Sequence, residues 1–173
     1  TGYEAVKAVA PDLPVAAFAA GGSSYGDVRF IEAIHEQNPD ITQFYDILST
    51  HPYTMGAAPE GIKMRGWGEY SLSMGRKERR EILANVGASD KPVWYTEIGW
   101  QIAQKHGGRF PSPPKRTGFI VTPDLQAAYL MRLYALALRL DVERIHVMHL
   151  HDSDRFNGAF LERGSLKRRL SAE

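Results

Sequence analysis

Short apolar runs alternate with amphipathic ones along the chain, and the unit repeats four times. Each unit reads as a strand, a polar loop and a helix. The first predicted strand is Leu13-Pro14-Val15-Ala16-Ala17-Phe18-Ala19-Ala20, closed by Gly21-Gly22. Ahead of it, Tyr3 to Ala10 has helical spacing and ends at Pro11-Asp12. Asp27 is placed to cap the next helix, in which Phe30, Ile31 and Ile34 share a face. The second strand is Tyr45 to His51, and a long loop rich in Gly, Met and aromatics runs from Pro52 to about Ser71. A charged helix follows, with Ile82, Leu83 and Val86 apolar and Gly87 as its stop.

The third strand is Pro92-Val93-Trp94-Tyr95-Thr96-Glu97, again with a long loop after it. The third helix has strong start signals: Thr122 as N-cap, Pro123 at the first position and Asp124 beside the positive helix end. Leu130, Leu133, Ala137 and Leu140 then recur at helical spacing. The fourth strand is Arg144 to Leu150, and a short last helix is expected near Ser165. Strands that alternate with helices imply an α/β fold with parallel pairing and right-handed crossovers. Loops after strands are long, and loops after helices are short, as in Asp141-Val142-Glu143. The elaborated surface therefore lies at the C-terminal ends of the strands, where α/β folds build their sites.

Composition narrows the chemistry. The chain has 173 residues, enough for one domain with a core, and its net charge of +1 points to no polyanion partner. Lys167-Arg168-Arg169 is a local basic cluster, read as a solvated helix face. With no cysteine, disulfides, thiolate metal sites and cysteine nucleophiles are excluded. No apolar run approaches the roughly 20 residues of a membrane span. No charged-then-apolar leader opens the sequence, which starts at Thr1 directly in a helical pattern. A piece or processed product of a longer protein is the expectation.

The segment Lys91 to Trp100 carries the most chemistry. Glu97 ends a hydrophobic strand and so faces a strand-end cleft; the alternative is a Glu that merely pairs with a loop Arg. Trp100 is placed to floor a sugar site, because sugar C–H faces pack on aromatic rings. His51 and Tyr53 close the neighbouring strand and can donate hydrogen bonds to a carboxylate, keeping it ionised and aimed. Against that, His51 could be a satisfied ring under a loop. His149 and His151 share a strand face near Asp152 and Asp154, but no further cluster completes a metal site, so neither metal nor cofactor is expected. Gly21-Gly22-Ser23-Ser24 could cradle a phosphate, although a plain tight turn is the better reading.

Two motifs in order carry a resemblance. Asp46-Ile47-Leu48-Ser49-Thr50-His51-Pro52-Tyr53 and then Trp94-Tyr95-Thr96-Glu97-Ile98-Gly99-Trp100 resemble strands six and seven of clan A retaining glycoside hydrolases, closest to the family 39 and family 5 types. Leu13 to Gly22 would be barrel strand five. His151-Asp152-Ser153-Asp154 with Asn157-Gly158-Ala159-Phe160-Leu161 looks like the strand-eight loop. The resemblance implies the C-terminal half of a (β/α)₈ barrel that acts on a β-linked saccharide with two carboxylates. Glu97 matches the nucleophile, and His51 and Tyr53 match the residues that orient it. It also implies substrate contacts from Trp100, Trp67, Tyr70, His149 and Asp152, and it favours a secreted or periplasmic setting. The chain departs from the pattern twice. The Asn-Glu pair that carries the family's acid/base occurs nowhere in it. Val147 or Met148, with His149 nearby, stands where the strand-eight aromatic is usual.

A full barrel needs roughly 200 residues or more, so this chain is expected to hold barrel strands five to eight. Its partners are then an oligosaccharide or polysaccharide, together with either an upstream half-barrel or a second copy. Half a barrel leaves two strand edges unpaired and its inward face, expected to be apolar, uncovered, which a homodimer would repair. In such a dimer His149, His151 and Asp152 of one copy would lie where the acid/base of the other belongs. Two rival readings remain. One is a catalytically silent sugar-binding or scaffold half-barrel that uses Trp67, Tyr70 and Trp100. The other is a small α/β domain with a phosphate at Gly21-Gly22.

Overall fold

Thr1 opens the chain as a reciprocal helix cap. Its hydroxyl accepts from the Glu4 N–H, and the Glu4 carboxylate accepts from the Thr1 amino group at 2.6 Å. This starts α1 (Gly2–Val9), none of whose residues is buried. Polar contacts dock it instead. Asp46 accepts from the Tyr3 hydroxyl at 2.9 Å and from the Val15 N–H at 2.8 Å, and pairs with Lys7 Nζ at 2.9 Å. Partial burial pushes the Asp46 carboxyl up, but the Lys7, Val15 and Tyr3 contacts outweigh it and hold the carboxyl below its usual range. A carboxyl depressed in the fold contributes stability that is present above the unfolded value near ~3.9 and is lost as pH falls through the folded value. Asp46→Asn is therefore expected to flatten the loss of stability between pH ~5 and ~3. Urea midpoints at pH ~7 and ~3 check this, and an unchanged difference between the two would refute it.

A computed structural model describes residues 1–54, 56–64, 68–102 and 120–148. In chain order, β1 (Ala16–Ser23), α2 (Ser24–Gln37) and a 3₁₀ turn (Pro39–Phe44) lead into β2 (Ile47–Tyr53). The hairpin β3 (Ile62–Met64) and β4 (Gly68–Tyr70) precedes α3 (Leu72–Asn85). After β5 (Val93–Ile98) and β6 (Gln101–Ile102) come β7 (Ile120–Val121), α4 (Pro123–Arg139) and β8 (Arg144–Val147). The main sheet is parallel with order β1-β2-β5-β8, so strands adjacent in sequence units are adjacent in space. This is an α/β fold whose edge strands, among the described residues, are β1 and β8.

Several local expectations change. β1 does not stop at Gly21-Gly22: these glycines continue the strand in register with His51 and Pro52, and α2 begins directly at Ser24. The tight turn expected there is absent, and Asp27 lies inside α2 rather than at its cap. The face of α2 that meets the sheet is Val28, Ile31 and His35, whereas Phe30 points outward at 49% exposure. His35 is buried because both ring nitrogens are satisfied. Nδ1 meets the Ile31 carbonyl at 2.7 Å and Nε2 meets the Tyr45 hydroxyl at 2.9 Å, with burial pushing that phenol up to about 12. A bulge at Phe18 and Ala19, both at positive φ, turns the Phe18 ring against His35 and Tyr45. The long loops expected after the second and third strands contain β3–β4 and the short parallel pair β6–β7.

The sheet's two faces differ in chemistry. On the helix side Leu48, Val93, Tyr95 and Ile98 join Val28, Ile31, Leu72, Leu83, Leu130 and Leu133 in one apolar cluster. Thr122 caps α4 as its sequence indicates, accepting from the Leu125 N–H. Strand alternation sends Ser49, Trp94, Thr96, Arg144 and His146 to the other face. There the Ser49 and Thr96 hydroxyls bond across strands, Arg144 stacks over Trp94 at 4.6 Å, and His146 lies 6.1 Å from the same ring. On β2 and β5 this face is polar and aromatic apart from Ile47, which has the parity of Ser49, so it is less apolar than the surface expected of an opened barrel. Leu48, Val93 and Ile98 face the helices.

Candidate active site

The parallel register carries three side chains to one end of the sheet. Leu48, Ser49 and Thr50 pair with Val93, Trp94 and Tyr95, so the C-terminal ends of β2 and β5 lie side by side. His51 and Tyr53 have the same parity on β2 and share its open face. Beyond Tyr95 the pairing of β5 with β8 shifts register, an irregularity spanning Thr96 and Glu97. The Tyr53 hydroxyl donates to Glu97 Oε1, and His51 Nδ1 lies 3.3 Å from Oε2. Each carboxylate oxygen thus has its own partner on β2. Glu97 remains 31% exposed, so a solute can reach it while its orientation is fixed.

Tyr53 is part-buried. Burial raises its phenol well above the ordinary range, and the Glu97 hydrogen bond and negative charge raise it further. It stays protonated and serves as a permanent donor to the carboxylate. For His51 to donate to an ionised Glu97, its proton must sit on Nδ1. The hydroxyl of Tyr53 also touches Met148 Sδ at 3.0 Å, bringing the end of β8 into the site.

Trp100 takes a different role from the one its position suggested. It is 2% exposed, and its indole N–H donates to the Ala57 carbonyl at 2.8 Å and Thr54 Oγ1 at 3.2 Å. Its ring packs edge-on against Tyr129, and its carbonyl accepts from Gln126 Nε2 at 2.6 Å. The ring offers no open face for a sugar; it is a strut that ties the loops after β2 and β5 to α4. Trp100→Phe keeps most of the packing but removes the indole N–H, leaving the Ala57 carbonyl only the Thr54 hydroxyl at 2.7 Å, with an expected loss of about 1 kcal/mol in chemical denaturation. A variant of wild-type stability would contradict the strut.

Of the remaining expected substrate contacts, Tyr70 falls in β4, and its side chain lies outside the described structure. Trp67, His149 and Asp152 lie outside the described residues, as do His151, Asp154 and the helix expected near Ser165. Sequence reasoning missed Met148 as a neighbour of Tyr53. Its only signal was its place in the strand-eight position, and a thioether carries no obvious chemistry.

Comparison with known protein families finds no match, and comparison with curated proteins finds none. Solved structures do match in fold. A GH2 beta-galacturonidase from Eisenbergiella tayi bound to galacturonate is similar over 98% of this chain and 27% of its own, with 14% identity and a TM-score of 0.57. A glucosidase from Croceicoccus marinus matches at 16% identity and TM-score 0.46, over 84% of this chain and 26% of that one. A Bifidobacterium dentium beta-glucuronidase matches at 17% identity and TM-score 0.45, over 91% and 28%. The chain thus spans about a quarter of the length of these proteins. What it shares, on the galacturonidase match, is a glycosidase-like fold.

Proposed function

We propose that this chain is the C-terminal half of a (β/α)₈-barrel glycosidase of the clan A retaining type, with Glu97 as nucleophile. The observation that carries the reading is a reachable strand-end carboxylate with the Tyr53 hydroxyl donating to one oxygen and His51 Nδ1 3.3 Å from the other. Hydrogen bonds to the charged form keep a carboxylate ionised, and fixing its direction aligns it for attack. Glu97 attacks the anomeric carbon of a β-linked sugar, the aglycone leaves with the bonding pair, and a glycosyl ester forms. In a complete enzyme a second carboxylate about 5 Å away protonates the leaving oxygen and later activates water. No Asn-Glu pair in the chain supplies it, so we assign that group to an upstream half-barrel. The silent sugar-binding reading loses one of its three platforms with the burial of Trp100.

The missing proton donor dictates the test. A 2,4-dinitrophenyl leaving group departs without protonation, so ester formation needs the nucleophile alone. Lacking a base, the ester should persist. The chain is expected to release dinitrophenolate from a β-glycoside in a burst of one equivalent, and peptide mass spectrometry should find the sugar on Glu97. A panel of β-glucoside, β-glucuronide and β-galacturonide spans the sugars of the structural neighbours. No label on any member, or a label on another residue, would refute the nucleophile.

A further inference from the structure

We propose that Met148 is a positioning residue for Glu97, acting through the Tyr53 hydroxyl, and that Gly99 is what lets it reach that hydroxyl. The Tyr53 oxygen has one proton and two acceptors within reach, Glu97 Oε1 and Met148 Sδ. A carboxylate is a far stronger acceptor than a thioether, so the Tyr53 hydroxyl donates to Glu97 while Glu97 is charged. Once the carboxyl is neutralised, by a proton or as a sugar ester, its pull on the hydroxyl weakens. The sulfur then offers the hydroxyl a second place to donate. Tyr53 is part-buried, and in the neutral state the sulfur adds a second acceptor beside the weakened carboxyl oxygen.

The backbone fixes the sulfur there. The Met148 N–H donates to the Ile98 carbonyl at 3.0 Å, holding the end of β8 against the end of β5. At Gly99 a side chain would begin 2.4 Å from the Met148 carbonyl oxygen, so only glycine admits this approach. The chain of contacts therefore runs from Gly99 to Met148, Tyr53 and Glu97. Among the described residues, the titratable groups that contact Glu97 are His51 and Tyr53, both on β2.

The test needs no turnover, so it is separate from the glycosidase reading on which the role of Glu97 rests. The whole chain is labelled with ¹³C on methionine methyls and glutamate carboxyls, and spectra are followed with pH. Met148 is assigned by Met148→Leu, Glu97 by Glu97→Gln and the His51 ring by its own resonances. The Met148 methyl is expected to move with the midpoint of the Glu97 carboxyl, not that of the His51 ring. Tyr53→Phe is expected to abolish that movement. Met148→Leu keeps the volume but removes the fallback acceptor, and should shift the Glu97 protonation equilibrium about threefold toward the charged form. A methyl that ignores Glu97, or still follows it in Tyr53→Phe, overturns the proposal. So does a Glu97 equilibrium that is unchanged in Met148→Leu or shifted toward the neutral form. If Met148→Leu fails to fold, the wild-type and Tyr53→Phe titrations still decide, with the Met148 methyl assigned by Met148→Ile.

Discussion

Glu97→Gln is expected to abolish the dinitrophenolate burst and the sugar label, slowing ester formation by at least about 10⁴-fold. The amide has nearly the same shape as the carboxylate but neither its charge nor its nucleophilicity. It can still accept from Tyr53, so the site keeps its geometry. Glu97 is partly open to solvent and packs little, so the unfolding free energy should change by less than about 1 kcal/mol. A burst that survives in a folded Glu97→Gln protein would exclude Glu97 as nucleophile. Tyr53→Phe separates the roles of the two groups. It leaves the nucleophile in place but frees Oε1, so the label should still form on Glu97, about 10–100-fold more slowly. A Tyr53→Phe protein as fast as wild type would reduce Tyr53 to a packing residue.

The juxtaposition of Glu97, His51 and Tyr53 was legible because it depends on strand ends. Two apolar runs of similar length, each ending in polar residues, pair in parallel and carry their last side chains to one edge. The helix cap at Thr122 is equally local and follows from a few residues. What sequence could not convey depended on distant partners. Trp100 became a strut because Ala57, Thr54, Tyr129 and Gln126 converge on it, and none of them is near it in sequence. His35, which carried no sequence signal, is buried because Tyr45 supplies its second hydrogen bond. The polarity of the sheet face bearing Ser49 and Thr96 follows only once alternation is assigned, because a run such as Ile47–His51 mixes Ile47 and Leu48 with Ser49, Thr50 and His51.

Gly99→Ala is expected to destabilise the chain by about 2–4 kcal/mol and to lower its unfolding temperature by roughly 5–15 °C. The added methyl carbon would sit 2.4 Å from the Met148 carbonyl oxygen, and the obstacle is backbone, which cannot swing aside. Relief requires β5 and β8 to part, which breaks the Met148 N–H to Ile98 carbonyl bond and withdraws Met148 from Tyr53. Two other glycines calibrate the effect. Gly87 ends α3 at φ +71° with open space where a methyl group would sit, so Gly87→Ala incurs only the left-handed backbone strain, about 1 kcal/mol. Gly2 lies in the first turn of α1 with nothing within 4 Å, so Gly2→Ala should be neutral or slightly stabilising. Thermal and urea unfolding of the three variants should therefore rank Gly99 well above Gly87, and Gly87 above Gly2. If Gly99→Ala costs no more than Gly87→Ala, the β5 and β8 ends are not clamped at this point, and Gly99 loses its place in the contacts that lead to Glu97.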